Sequence, residues 1–231
     1  LLGPDGARKW TSRFGFDIER QPDNLTQALG TGSTNPMQMA AAYAVLANGG
    51  IKVLPQFVRR ITNAAGETVF EAPVQTLSEE QRVVPQRNTF MVASLLQEVT
   101  RSGTAARAQA TLRRPDLYGK TGTTDDVVDA WFAGYQPSLV AVVWVGHDTP
   151  RSLGSRASGS ALALPAWIEF MATALKNVPV QEVQPPAGVV EVDGDWRYSE
   201  WADDGYIRTL GMNDEEISPA LIVYPASTPV P

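Results

Sequence analysis

Leu117-Tyr118-Gly119-Lys120-Thr121-Gly122-Thr123-Thr124, then Asp129-Ala130-Trp131-Phe132-Ala133-Gly134-Tyr135, then Leu139-Val140-Ala141-Val142-Val143-Trp144-Val145-Gly146 decide how this chain folds. Each segment is rich in β-branched and aromatic residues and short enough to be one strand. They predict three consecutive strands at about 116–121, 129–135 and 139–146. Gln136-Pro137-Ser138 has the turn chemistry to join the last two as neighbours, which makes them antiparallel. Residues 139–145 are apolar at nearly every position, which predicts a strand covered on both faces.

Outward from this sheet the pattern changes to a helical period. Thr34-Asn35-Pro36 predicts a helix start, because Thr34 or Asn35 can cap and Pro36 suits the first helical position. Met37, Ala40, Ala41, Ala44, Val45 and Leu46 follow at helical spacing, and Asn48-Gly49-Gly50 ends the run. A second helix is expected from about residue 87 to 100, with Phe90, Met91, Ser94, Leu95 and Val99 on one face and Ser102-Gly103 as its stop. A Gly/Ser-rich loop at 151–160 leads to a third, from about 165 to 176, with Trp167, Ile168, Phe170, Met171 and Leu175 as its buried side. Between the first two helices, residues 57–61 and 68–70 flank the turn Asn63-Ala64-Ala65-Gly66 and predict a hairpin. The fold class is therefore α/β (α+β), an antiparallel sheet flanked by helices.

The composition removes several classes of function. There is no cysteine and one histidine, His147, in 231 residues. No thiolate zinc site can form, no imidazole-rich metal site is expected, and no cofactor is called for. A serine–histidine–acid triad would have to use His147, which reads as a strand-end residue. The formal net charge is −6, but its distribution matters more. Residues 182–216 hold ten acids and two bases, a local charge of −8, so the rest carries +2. No basic stripe points to nucleic acid. Beyond residue 178 the chain turns acidic and proline-containing, and 179–231 reads as an extension on a main body spanning 1–178. Trp196, Tyr198, Trp201 and Tyr206 provide enough aromatic area to predict short strands packed on that body.

The chemistry converges on residues 120–123. Gly122 lacks a side chain, so a substrate backbone can approach its strand closely. Thr121 and Thr123 flank it and point to one face, so their hydroxyls can grip a single carboxylate together. Lys120 is a compact cation with three donors. Next to a serine hydroxyl it can stabilise a developing anion or pass a proton. On the tripeptide alone, a polar edge strand with a surface lysine explains the same letters.

The surrounding strings lift that ambiguity. Lys-Thr-Gly is one of three active-site motifs of penicillin-interacting serine enzymes. Arg13-Phe14-Gly15-Phe16, Ala28-Leu29-Gly30, Ala42-Tyr43-Ala44-Val45-Leu46-Ala47-Asn48-Gly49-Gly50, residues 119–124, residues 129–135, Trp144-Val145-Gly146 and Pro165-Ala166-Trp167 resemble the transpeptidase domain of class A penicillin-binding proteins. The acidic extension resembles the C-terminal segment of the 1A type of Gram-negative bacteria. The resemblance implies a penicillin-binding protein or serine β-lactamase-like fold, incomplete at its N-terminus. It also implies a peptidoglycan D,D-transpeptidase acting through an acyl-serine. Stem peptides ending in D-Ala-D-Ala and β-lactams would be its partners. The location would be the periplasmic face of the inner membrane, with the membrane reached only through a missing N-terminal anchor. Lys120 maps onto the family's catalytic lysine of the third motif, and Thr121, Gly122 and Thr123 onto its substrate-binding residues.

One departure is plain. No serine here is followed three residues later by lysine, so the nucleophile expected of the family is not in this chain. Ser33-Thr34-Asn35 has the letters of the second motif, but its place at the start of the Ala-rich helix reads as a cap. A class A or C serine β-lactamase is the alternative enzyme, disfavoured by the flanking strings. A non-catalytic module holding a peptide carboxylate is the alternative outside catalysis.

Overall fold

The computed structural model describes residues 3–202. At its centre is a three-stranded antiparallel sheet in the order β3 (Tyr118–Thr123), β4 (Asp129–Gln136), β5 (Leu139–Gly146). Register runs from Tyr118↔Tyr135 to Thr123↔Ala130 on one side of β4 and from Asp129↔Gly146 to Gln136↔Leu139 on the other. These strands match the sequence expectation, with β3 displaced two residues towards the C-terminus.

Helices cover both faces. On one, α4 (Ala106–Leu112) and α5 (Leu164–Ala174) bury Leu117, Phe132, Leu164, Trp167 and Met171. Phe132 meets Trp167 edge to face at 4.9 Å, and the Trp167 indole donates to the Ala141 carbonyl at 3.0 Å. On the other, α2 (Pro36–Ala47) and α3 (Gln86–Arg101) pack Tyr43, Leu46, Ala93 and Leu96 around Tyr118 and Tyr135, whose rings stack at 4.8 Å. Because successive strand residues alternate between faces, Leu117 and Phe132 turn to the first cluster while Tyr118 and Tyr135 turn to the second. The central strand β4 is the most enclosed, buried at every residue but Asp129 and Trp131. β5 stands at the sheet's other margin and is half-buried, with Trp144 exposed. Its continuous apolar pattern therefore does not mean complete coverage among the described residues.

Local chemistry explains the helix limits. Asn35 accepts from the Gln38 amide at 2.9 Å while the Gln38 side chain reaches back to Asn35 N–H, a reciprocal capping box with Pro36 in the first turn. Asn48 closes α2, and Gly49 follows at φ 65°. The expected hairpin is β1 (Arg60–Thr62) with β2 (Thr68–Glu71), and it stands exposed. Two helices had no sequence signal strong enough to assign: α1 (Gly3–Arg13) and the short α4. The Gly/Ser-rich loop does not run directly into α5; Gly159–Ala163 form a wide π-type turn first.

Beyond α5 the chain remains attached to the body. Asp116, fully buried, holds Arg114 in a two-pronged ion pair at 2.9 and 2.7 Å. It also accepts from the Gln136 side chain at 3.1 Å and from the Gln181 backbone at 2.9 Å. Arg114 donates to the carbonyls of Val178 and Pro179, and the Tyr118 hydroxyl accepts from Val183 N–H. Strands β6 (Val189–Val192) and β7 (Asp195–Tyr198) then form a hairpin against the start of α3. There Trp196 meets Phe90 edge to face at 5.0 Å, Tyr198 donates to Asn88, and Glu200 pairs with Arg87. Tyr206, the acids from 203 onward and the proline-rich residues 225–231 lie outside the described residues. No helix of the described residues is long and apolar enough to cross a membrane.

Candidate active site

Lys120, Thr121, Gly122 and Thr123 lie together on β3, at the open margin of the sheet. Lys120 is exposed and Thr123 is exposed, with Thr121 and Gly122 half-buried between them. Alternation places Lys120 and Gly122 on the α2/α3 face and both threonines on the α4/α5 face. The lysine nevertheless serves the threonine side. Its ammonium folds back to donate to the Thr121 carbonyl at 2.9 Å and lies 3.5 Å from Thr121 Oγ1. One cation and two hydroxyls are thus gathered along a strand margin, all able to donate.

Gly122 has a reason inside the sheet as well as towards a ligand. It stands opposite Trp131, and a Cβ there would come within 3.2 Å of Trp131 Cβ. Gly159 is more constrained. A Cβ would lie 2.3 Å from the Trp131 carbonyl oxygen and 2.6 Å from that of Gly122, so only glycine lets residues 159–163 sit this close to β3 and β4. That approach carries a contact the sequence did not foretell: Gly159 N–H donates to Thr123 Oγ1 at 3.0 Å.

Two further threonines belong to the neighbourhood. Thr104, in the connection between α3 and α4, has its hydroxyl 2.8 Å from that of Thr121. Thr124 closes the β3–β4 turn, accepting from the amides of Val128 and Asp129 at 3.0 Å each. In the sequence Thr104 followed a helix stop and carried no other signal. Its partner is seventeen residues away, so only the packing of α3 on β3 could find it.

The residues set aside earlier are occupied elsewhere. Asn35 is the cap of α2, and Ser33 N–H donates to the Arg20 carbonyl in the approach to it. His147 follows β5, with Nδ1 3.3 Å from Arg151. Among the described residues no three His, Asp or Glu side chains converge as a metal site requires.

The family profile of the penicillin binding protein transpeptidase domain matches residues 1–166. The chain belongs to the penicillin-binding protein transpeptidase family. It is similar to penicillin-binding protein 1A of Neisseria flavescens, 39% identical over 197 residues that take in 84% of this chain and 24% of that protein. It is also similar to penicillin-binding protein 1A of Pseudomonas aeruginosa, 35% identical across 83% of this chain and 29% of that protein. The chain therefore spans about a quarter of the length of the curated relatives it matches. In three dimensions it resembles the crystal structure of penicillin-binding protein 1A from Haemophilus influenzae. The TM-score is 0.78 at 29% identity, over 85% of this chain and 36% of that one. The PonA1 protein of Mycobacterium tuberculosis, solved in complex with penicillin V, matches with a TM-score of 0.61 at 28% identity, over 80% of this chain and 53% of that one. The antiparallel sheet flanked by helices is that of penicillin-binding transpeptidases.

Proposed function

We propose that this chain provides the carboxylate-binding strand of a peptidoglycan D,D-transpeptidase that works through an acyl-serine. The observation that carries the proposal is the grouping of Lys120, Thr121 and Thr123 as donors at the open margin of β3. Thr121 and Thr123 hold the terminal carboxylate of a D-Ala-D-Ala stem peptide, or the equivalent group of a β-lactam. Lys120 supplies the charge that stabilises the reacting centre. Gly122 keeps the strand free of a side chain where a peptide backbone lies alongside. The family match and the penicillin V complex of a similar protein support this reading. The nucleophilic serine and its lysine come from sequence outside these 231 residues, as do the glycosyltransferase domain of a bifunctional enzyme and the anchor that holds it to the periplasmic face of the inner membrane. The acidic segment from 179 onward is an extension anchored on the transpeptidase body.

Two outcomes test this. The 231-residue chain incubated with a fluorescent penicillin shows no covalent band on a denaturing gel, because acylation needs a serine beside a base. A band that survives denaturation would require another nucleophile within the chain. The full-length protein is labelled, and the threonines are tested in it. Thr121→Val and Thr123→Val each remove a hydrogen bond to a charged group, worth about 1.5–3 kcal/mol, or roughly 10- to 150-fold in acylation by a carboxylate-bearing β-lactam. Valine keeps the branched shape that suits a strand. Both hydroxyls serve one group, so the double variant is non-additive. Additive losses, or none, would reduce the threonines to strand residues.

A further inference from the structure

A hydroxyl has one proton to give and two lone pairs to receive, so a threonine that grips a carboxylate must keep its proton for that purpose. Thr123 meets this condition, since its oxygen accepts from Gly159 N–H at 3.0 Å. For Thr121 the answer depends on its neighbour. The two hydroxyl oxygens of Thr121 and Thr104 lie 2.8 Å apart, and either can donate. If Thr121 donates, its proton is consumed inside the protein. If Thr104 donates, Thr121 accepts and its own proton is left for a ligand. The ammonium of Lys120, 3.5 Å from the same oxygen, can only donate; it takes one of the two lone pairs and leaves the other for Thr104.

We propose that Thr104 is a positioning residue for carboxylate recognition: its hydroxyl donates to Thr121 Oγ1 and directs the Thr121 proton outward, as Gly159 N–H does for Thr123. The inference rests on the reading that these two threonines hold the carboxylate. The connection that carries Thr104 is built to hold it still. Gly103 lies so close to α3 that a Cβ would come within 2.9 Å of Val99 Cα and 3.1 Å of its carbonyl oxygen. Ala105, on the other side, is fully buried and donates its N–H to that same carbonyl. Thr104 itself is exposed. A methyl group in place of its hydroxyl therefore costs the core little, and the hydroxyl's role lies in its contact with Thr121. Hydrogen bonds in series also strengthen one another, so a donor on Thr121 makes that residue's proton a better donor in turn.

The test uses the full-length enzyme, with acylation resolved into the initial dissociation constant and the rate of the chemical step, for benzylpenicillin and for its methyl ester. Thr104→Val is expected to weaken initial binding of the acid by about 2- to 10-fold, the worth of one neutral hydrogen bond, and to leave the ester within about 2-fold. Thr104→Ser restores the acid's affinity. In the background of Thr121→Val, Thr104→Val adds little, because the two hydroxyls act as one unit. If Thr121→Val impairs binding of the acid and Thr104→Val does not, this proposal fails while the carboxylate reading stands. If Thr121→Val has no effect, both fail. Equal losses for acid and ester without rescue by serine would make Thr104 a structural residue and overturn the proposal. Should Thr104→Val not fold, Thr104→Ala removes the same hydroxyl without adding a methyl group.

Discussion

Lys120→Ala in the full-length protein lowers the rate of acylation by penicillin by about 10²–10³-fold, the usual cost of removing one preorganised charge from a reacting centre. The side chain is exposed yet not left to wander. Its ammonium is tied to the Thr121 carbonyl at 2.9 Å and leans on the Thr121 hydroxyl, so the charge is placed before any substrate arrives. Lys120→Arg recovers only part of the loss, because a planar guanidinium cannot occupy the place of a compact ammonium. Ser33→Ala is the matched comparison. Ser33 lies at the approach to α2, where Asn35 and Gln38 do the capping, and acylation stays within about 2-fold. Labelling with a fluorescent penicillin over a time course measures all three. If Ser33→Ala proves as damaging as Lys120→Ala, Ser33 belongs to the reaction and the assignment of Lys120 loses its contrast.

Arg114→Met destabilises the fold by about 3–5 kcal/mol, because it leaves the carboxylate of Asp116 buried without its cation. Replacing both partners, as in the pair Arg114→Met with Asp116→Leu, recovers only part of the loss: the unpaired charge is gone, but the Gln136 side chain and the Gln181 N–H are left without their acceptor. Acid reveals the same network. Burial pushes the Asp116 carboxyl up, but the Arg114 guanidinium, the Gln181 backbone N–H and the Gln136 amide together outweigh it and hold the group below its ordinary value. The folded carboxyl is thus the stronger acid. Its stabilisation is present above the unfolded value of about 3.9 and is lost as pH falls through the depressed folded one. Asp116→Asn flattens this part of the profile. Urea denaturation followed by tryptophan fluorescence, at neutral pH and through the acid range, gives each quantity. A loss below ~1 kcal/mol for Arg114→Met would show that the network holds little. Because it joins the start of β3 to residues 178–183, a large loss ties the foundation of the Lys120 strand to the segment beyond α5.

The parts legible in the sequence were those whose cause is local. The three strands announced themselves through β-branched and aromatic runs between turn residues. α2 did so through Asn35, Pro36 and the Asn48-Gly49-Gly50 stop, all of which act within one turn of backbone. The candidate quartet 120–123 was legible for the same reason: i and i+2 share a face of any strand. The short strands expected of the aromatic extension were found at β6 and β7, because Trp196 needs a surface such as that of Phe90 to cover it. Other features depended on where distant residues met. The apolar run of β5 could not say that it borders the sheet, since a strand's own residues are the same at a margin and in the middle. α4 and α1 are too short, or too weakly apolar, to declare themselves before tertiary packing stabilises them. The fold also brought Thr104 to Thr121, Gly159 to Thr123 and Gln181 to Asp116, across seventeen, thirty-six and sixty-five residues. A hydroxyl carries no mark of the partner it will find. The sequence by itself determined the family, the strand and the donors on it; which neighbours those donors meet was decided by the tertiary structure, because that depends on which distant residue is brought within about 3 Å.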